Sequence, residues 1–167
     1  LVPLSQEGIL LKRICCAVFA CTFALSLATR AQSTDSMSYQ ALAAAKFGNH
    51  PALPACVTIA VQDGDPGKSN SIILLKFKAG CTIPWHWHTP NERLIMISGS
   101  GKAEMKGMPA TMMKPGDFLF LASKGIHQFH AVTPVLLFDI SDAPFDIHYV
   151  DAGGKEISVA DALKPAR

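Results

Sequence analysis

From Ser71 onward the chain is interrupted at short intervals by Gly80, Gly99, Gly107-Met108-Pro109, Pro115-Gly116, Gly125 and Pro134. Between the breaks lie segments rich in β-branched and aromatic residues: SIILLKFKA, ERLIMIS, GKAEMK, DFLFLA, HQFHAV, VLLFDIS and FDIHYV. Punctuation roughly every eight to twelve residues leaves no room for helices of ordinary length, so the pattern predicts an all-β sandwich or barrel. Val57 to Val61 reads as an earlier strand, closed by the turn Asp63-Gly64-Asp65-Pro66-Gly67. Phe118 to Ala122 and Val135 to Phe138 are apolar at successive positions, which predicts that both of their faces are covered. A length of 167 residues suits one domain with a real core.

One stretch inside this rhythm carries chemistry: Gly80 to Gly99, GCTIPWHWHTPNERLIMISG. Side chains two apart on a strand face the same way, so His86 and His88 present two imidazoles to one point. Thr89-Pro90-Asn91 is turn chemistry that brings Glu92 back at the same depth on the next strand. Two imidazoles and a carboxylate form a metal-binding set, since imidazole suits Fe, Zn, Cu and Ni and a carboxylate suits harder ions. The competing explanation, three polar residues placed inward without a partner, costs several kcal/mol in desolvation.

The spacing of this stretch is glycine, five residues, His-x-His, three residues, Glu, six residues, glycine. In that form it resembles the first motif of the cupin superfamily, and Gly116 and His127, eleven apart, match the frame of the second. Within the second stretch, KPGDFLFLASKGIHQFHA, Ala122 replaces the usual proline, Lys124 the usual glycine and Ala131 the usual terminal asparagine. These departures bear on the loop before His127 and on how closely that side chain approaches an ion. The resemblance covers about half the chain. It implies a single jelly-roll β-barrel, one divalent transition metal ion (Fe, Mn, Ni, Cu or Zn), the ligands His86, His88, Glu92 and His127, and a homodimer. It implies one barrel unit, with no internal repeat.

The amino terminus has a different character. Lys12-Arg13 precede an uninterrupted apolar run, Ile14 to Ala28, followed by small residues. A run of fifteen residues falls short of the roughly 20 that span a bilayer, so residues 1–31 are expected to be an export signal cleaved after Ala31, with no permanent membrane span. Cleavage after Ala28, and a lipid anchor at Cys21, are weaker alternatives. Three of the 15 basic residues and one of the 13 acidic ones lie in this leader, leaving twelve of each in the body. A neutral body offers no electrostatic footprint for nucleic acid. Removal of the leader leaves Cys56 and Cys81, which either pair in an oxidising compartment or stay as small buried hydrophobes.

The expected organisation is thus an arm over residues 32–54, a barrel over 55–150 and a carboxyl-terminal extension over 151–167. The alanine-rich Ser38 to Phe47 has helix propensity but is too short to be more than a marginal helix, and the arm is expected to pack on the barrel or on a partner subunit. The extension carries Ile157, Val159 and Leu163 and is expected to add a short helix or an edge strand. By strand parity Leu94, Met96 and Phe129 join Glu92 and His127 on the inward side and line an apolar pocket above the ion, while Trp85 and Trp87 point outward. His130 faces away from His127 and is assigned to the surface or an interface, while His50 and His148, which have no motif partner, are assigned to solvent or hydrogen bonding. No Ser-His-Asp order, phosphate-cradling loop or C-x-x-C pair occurs.

Two functions follow from the resemblance. One is a small exported metal-dependent enzyme, with Glu92 as the catalytic base and, if the ion is iron, dioxygenation of an electron-rich enol or phenol as the chemistry. The alternative is a non-catalytic module that binds a metal or a small ligand, favoured by the lack of any evident acid or base beyond the ligands. Fold alone does not choose between them.

Overall fold

The computed structural model describes residues 37–164, so the expected leader over 1–31 lies outside the described residues. Each apolar segment forms a strand that ends where glycine, proline or a polar turn interrupts it: β1 (Val57–Gly64), β2 (Ser71–Phe77), β3 (Thr82–Trp87), β4 (Glu92–Ser98), β5 (Gly101–Met105), β6 (Thr111–Met113), β7 (Phe118–Leu121), β8 (His127–Ala131), β9 (Val135–Ser141) and β10 (His148–Tyr149). The glycine breaks have a conformational cause. Gly99 takes a φ of +87°, and a Cβ there would lie 2.1 Å from the Pro134 carbonyl oxygen. Only glycine fits both conditions.

The pairing is that of one long hairpin wound upon itself. β2 pairs with β9, β3 with β8, β4 with β7 and β5 with β6, all antiparallel. Winding places alternate pairs in opposite layers, giving two five-stranded sheets of order β1-β2-β9-β4-β7 and β10-β3-β8-β5-β6. This is the jelly-roll arrangement of an all-β protein, built as a sandwich whose two sheets are not joined by a closing ladder among the described residues.

Alternation puts Ile73, Leu75, Phe77, Leu94, Met96 and Leu137 of one sheet against Ile83, Ala103, Met113, Phe129 and Tyr149 of the other. Gly101 on β5 makes room for the ring of Phe129, whose Cζ would lie 2.2 Å from an added Cβ. Cys56 and Cys81 form a disulfide with Cα atoms 5.8 Å apart, stapling the start of β1 to the start of β3. The pairing left open by the sequence is therefore made.

The arm does not form an α-helix: Leu42–Ala44 makes one 3-10 turn. Without a companion helix to bury against, the alanine run lacks the packing that a short helix needs. Ala45 and Phe47 instead pack on the outer face of the first sheet against Ala60, Leu74 and Leu136, and Gly48 bridges Ile59. The arm thus packs on the sandwich of its own chain and covers the outer side of β9. It does not cover β7. There Phe118 is 60% and Phe120 48% exposed within the single chain, with the Arg93 guanidinium over the Phe120 ring at 5.4 Å, so the chain's own described residues do not supply the second cover. β7 is an edge strand whose outer face lies beyond the reach of the arm.

The extension contributes a short helix, α1 (Val159–Ala162), capped by Ser158, whose Oγ accepts from the Asp161 N–H at 3.0 Å. Val150 and Glu156 form a bridge beside it. Ile157, Val159, Ala162 and Leu163 pack against the core, which explains their alternation with polar residues.

Candidate metal centre

β3 and β8 are ladder mates in register at His86 and His127, so strand pairing sets these two imidazoles side by side. His88 lies just past the end of β3. The connection Thr89-Pro90-Asn91 then carries the chain across the sandwich, because β4 belongs to the facing sheet. Glu92 therefore approaches the histidines from the opposite wall rather than from a neighbouring strand. All four side chains are buried, at 3 to 6% exposure, and the ligand atoms of His86, His88 and His127 lie within 4.8 Å of one another. Glu92 Oε1 is 3.3 Å from His88 Nε2, and Oε2 is 3.4 Å from His127 Nε2.

The three rings are oriented by the backbone. His86 Nδ1 lies 2.6 Å from the Pro84 carbonyl and His127 Nδ1 lies 2.8 Å from the Gly125 carbonyl, while His88 Nδ1 bonds the Asp146 carbonyl. A carbonyl can only accept, so each Nδ1 donates and each Nε2 keeps its lone pair for a hydrogen-bond donor or a metal ion. Pro84 takes part by sitting in a β-bulge between Ile83 and His86, where its missing N–H costs no ladder bond.

Burial holds all three imidazoles neutral. It pushes His86 well below its ordinary value, aided by His127 and His88, lowers His88 to about 4, and lowers His127. Burial also raises the Glu92 carboxyl to about 8, against the pull of a hydrogen bond to Asp139. Three neutral imidazoles whose ligand atoms lie within 4.8 Å of one another suit a divalent transition metal, and hydrogen bonds from the far nitrogens are the usual support of such ligands. The residues present fit a metal ion.

The loops that carry these residues clasp one another. Lys124 N–H donates to the His88 carbonyl at 2.8 Å, Ser123 Oγ to the Thr89 carbonyl at 2.6 Å, and Ser123 N–H to Asn91 Oδ1 at 3.0 Å. Thr89 N–H donates to Asp146 Oδ1 at 2.7 Å, and Asn91 donates from N–H and Nδ2 to the two carboxylate oxygens of Asp142. Lys124, at the position where the second motif normally has glycine, keeps the left-handed conformation with φ 61°. The departure from the motif thus leaves the loop shape intact, and His127 reaches the cluster.

Above the histidines lies a cavity of about 250 Å³. Leu94 and Phe129 line it as strand parity predicts; Met96 is buried in the core and does not reach it. Ile73, Phe77, Ile83 and Leu137 complete the apolar wall, and Pro66, Phe145 and Ile147 stand around the rest. Trp87 stacks on His148 at 3.9 Å, and His130 bonds Thr82 Oγ1 through Nδ1 at 2.7 Å. Two wall residues were missed by the motif. Asp139 on β9 is 3% exposed and hydrogen-bonds Glu92, and burial raises its carboxyl well above the usual range, aided by Glu92. His50 lies across Phe145, edge to face at 5.7 Å, and its Nδ1 accepts from the Ala52 N–H at 3.3 Å. Neither has a motif neighbour, so only the inward parity of β9 hinted at Asp139, and nothing in the sequence pointed to His50.

Comparison with known proteins agrees with this architecture. A family model for a cupin domain, Cupin_2, matches residues 73–141, from β2 to the end of β9. The structure of KdgF from Halomonas sp. is 17% identical, covers 64% of this chain and 94% of its own, and superimposes with a TM-score of 0.55. An RmlC-like cupin from Shewanella frigidimarina is 14% identical, with 65% and 92% covered and a TM-score of 0.55. The DMSP lyase DddQ from Ruegeria pomeroyi is 21% identical with a TM-score of 0.51; the match covers 60% of this chain and 57% of that one. At such identities the likeness is one of fold. Comparison with curated proteins gives no match.

Proposed function

We propose that the chain, whose residues 73–141 match a family model for a cupin domain, is an exported metal-binding cupin in which His86, His88, Glu92 and His127 hold one divalent transition metal ion and act on a small organic substrate in the cavity above. The observation that carries this reading is the convergence of three imidazoles, each tied through Nδ1 to a backbone carbonyl, on the floor of an apolar cavity. A bound ion supplies Lewis acidity toward substrate oxygens and, if it is iron, one-electron chemistry with dioxygen.

The chain's own residues do the rest. The apolar wall excludes water and holds the hydrocarbon part of the substrate, the three histidines stay neutral and fixed, and Glu92, entering from the opposite sheet, would act as the base only in its ionised form, detached from the ion, since burial alone raises its carboxyl to about 8. Dioxygenation of an enol or phenol is the chemistry best suited to such a site. The sequence offered no acid or base beyond the ligands, which favoured a non-catalytic module; the cavity holds Asp139 and His50 as well, and this weighs toward the enzyme.

Export is supported by the Cys56–Cys81 disulfide, which suits an oxidising compartment. Among the described residues no helix is long and apolar enough to cross a membrane. A homodimer in which the partner covers Phe118 and Phe120 is part of the same reading.

The test is elemental analysis of leaderless protein purified without added metal or chelator, followed by oxygen uptake with phenol and enol substrates. Near one equivalent of iron, manganese, nickel or copper, with turnover abolished in Glu92→Ala, is the expected result. Full occupancy with no turnover of any substrate decides for the binding module.

A further inference from the structure

The cavity wall contains one feature that folding does not explain. Asp139 is the third of four inward residues on β9, after Val135 and Leu137 and before Ser141, and its ladder partners are Ile73 on β2 and Leu94 on β4. A leucine or valine would continue this apolar surface. Instead a carboxyl is buried there to 3% exposure, and its Oδ1 finds no donor among the described residues. Leaving such a group unsatisfied costs the fold stability, which asks for a return outside folding.

The surroundings narrow what that return is. Among the described residues no lysine or arginine lines the cavity, so its walls offer no fixed cation to a carboxylate or phosphate ligand. Phe129, Leu94, Ile83 and Phe77 present a broad apolar surface, and a volume of about 250 Å³ suits a molecule of roughly one ring. Asp139 shares a hydrogen bond with Glu92, whose carboxylate oxygens lie 3.3 Å from His88 Nε2 and 3.4 Å from His127 Nε2.

We propose that Asp139 is the specificity-determining residue of the cavity: its side chain hydrogen-bonds a hydroxyl or N–H group of a small uncharged ligand with an aromatic or branched hydrocarbon body, which places that polar group beside Glu92 and the histidine cluster. This names the substrate class of the site and so rests on the reading of the cavity as a substrate site, but not on the presence of a metal. A buried polar group discriminates strongly because the analogue lacking the hydroxyl leaves it unpaired.

The experiment titrates the full chain with phenol and with toluene, which have nearly the same shape and differ by one hydroxyl, following the methyl and aromatic signals by NMR. Each titration is made once with chelator present and once with one equivalent of zinc. The expected result is that phenol binds about tenfold more tightly than toluene under both conditions, and that Asp139→Leu removes the preference under both. Equal affinities in the unaltered protein, or no binding of either probe, would overturn the proposal, and this comparison stands even if the leucine variant does not fold. A preference seen only with zinc, or one that survives in Asp139→Leu, would overturn it too, because the hydroxyl would then be read by the metal. Failure of the protein to take up zinc removes the metal reading and leaves the chelator arm to decide for or against Asp139.

Discussion

The two motif loops at the mouth of the sandwich reach the same end by different means. The first, leading to Glu92, lies between glycines with positive φ at Gly80 and Gly99, and turns through Thr89-Pro90-Asn91. Its residues suit the conformations they adopt. The second lacks the usual proline and glycine, and Lys124 sits in a left-handed conformation that its Cβ resists. What holds the second loop is the first: hydrogen bonds from Ser123 and Lys124 reach Thr89, Asn91 and the His88 carbonyl. One loop is shaped by its own sequence, and the other is shaped by its neighbour.

This difference is open to test. The largest effect is on metal content. His86→Ala combined with His88→Ala, both from the first motif, should reduce the metal found by elemental analysis from near one equivalent to near none, since two of the histidine donors are gone. An unchanged melting temperature with no metal in either protein would sink the assignment.

Next comes the anchoring of the first motif. Cys56→Ala/Cys81→Ala opens a link spanning a sequence separation of 25 residues and should lower the unfolding free energy by about 3 kcal/mol in denaturant titration. Gly99→Ala places a Cβ against the Pro134 carbonyl in a left-handed conformation and should cost at least about 2 kcal/mol, visible in the same measurement.

The clasp should show a smaller cost. Asn91→Ala removes the acceptor of the Ser123 N–H and a donor to Asp142, and is expected to lower stability by about 1 kcal/mol. It should also speed hydrogen exchange at Ser123 and Lys124 while leaving β2 and β9 protected. Equal exchange in both proteins would show that the second loop holds its shape alone. The smallest effect has the opposite sign: Lys124→Gly relieves the left-handed strain and should raise stability by up to about 1 kcal/mol, part of it returned through the greater freedom of glycine when unfolded. A drop in melting temperature would mean that the Lys124 side chain, whose Nζ lies 5.9 Å from the Trp87 ring centroid, contributes more than its backbone costs.

What the sequence determined by itself is local. Glycine and proline set the strand lengths because they act on their own backbone, and period-two alternation put His86, Glu92, Leu94, His127 and Phe129 on inward faces because parity needs no partner. The HWH spacing therefore announced the histidine pair before any strand was placed. Only the tertiary structure decided the rest. Pairing of β3 with β8 set His127 beside His86, and passage of the chain between sheets made Glu92 face them from across the interior. The same winding carried Asp139, one polar residue in an apolar run some fifty positions from the first motif, to the side of Glu92. It also placed Phe118 and Phe120 on an outer face that the chain's own described residues leave exposed. Long-range register and layer position depend on which strands meet, and that is a property of the whole chain rather than of any segment in it.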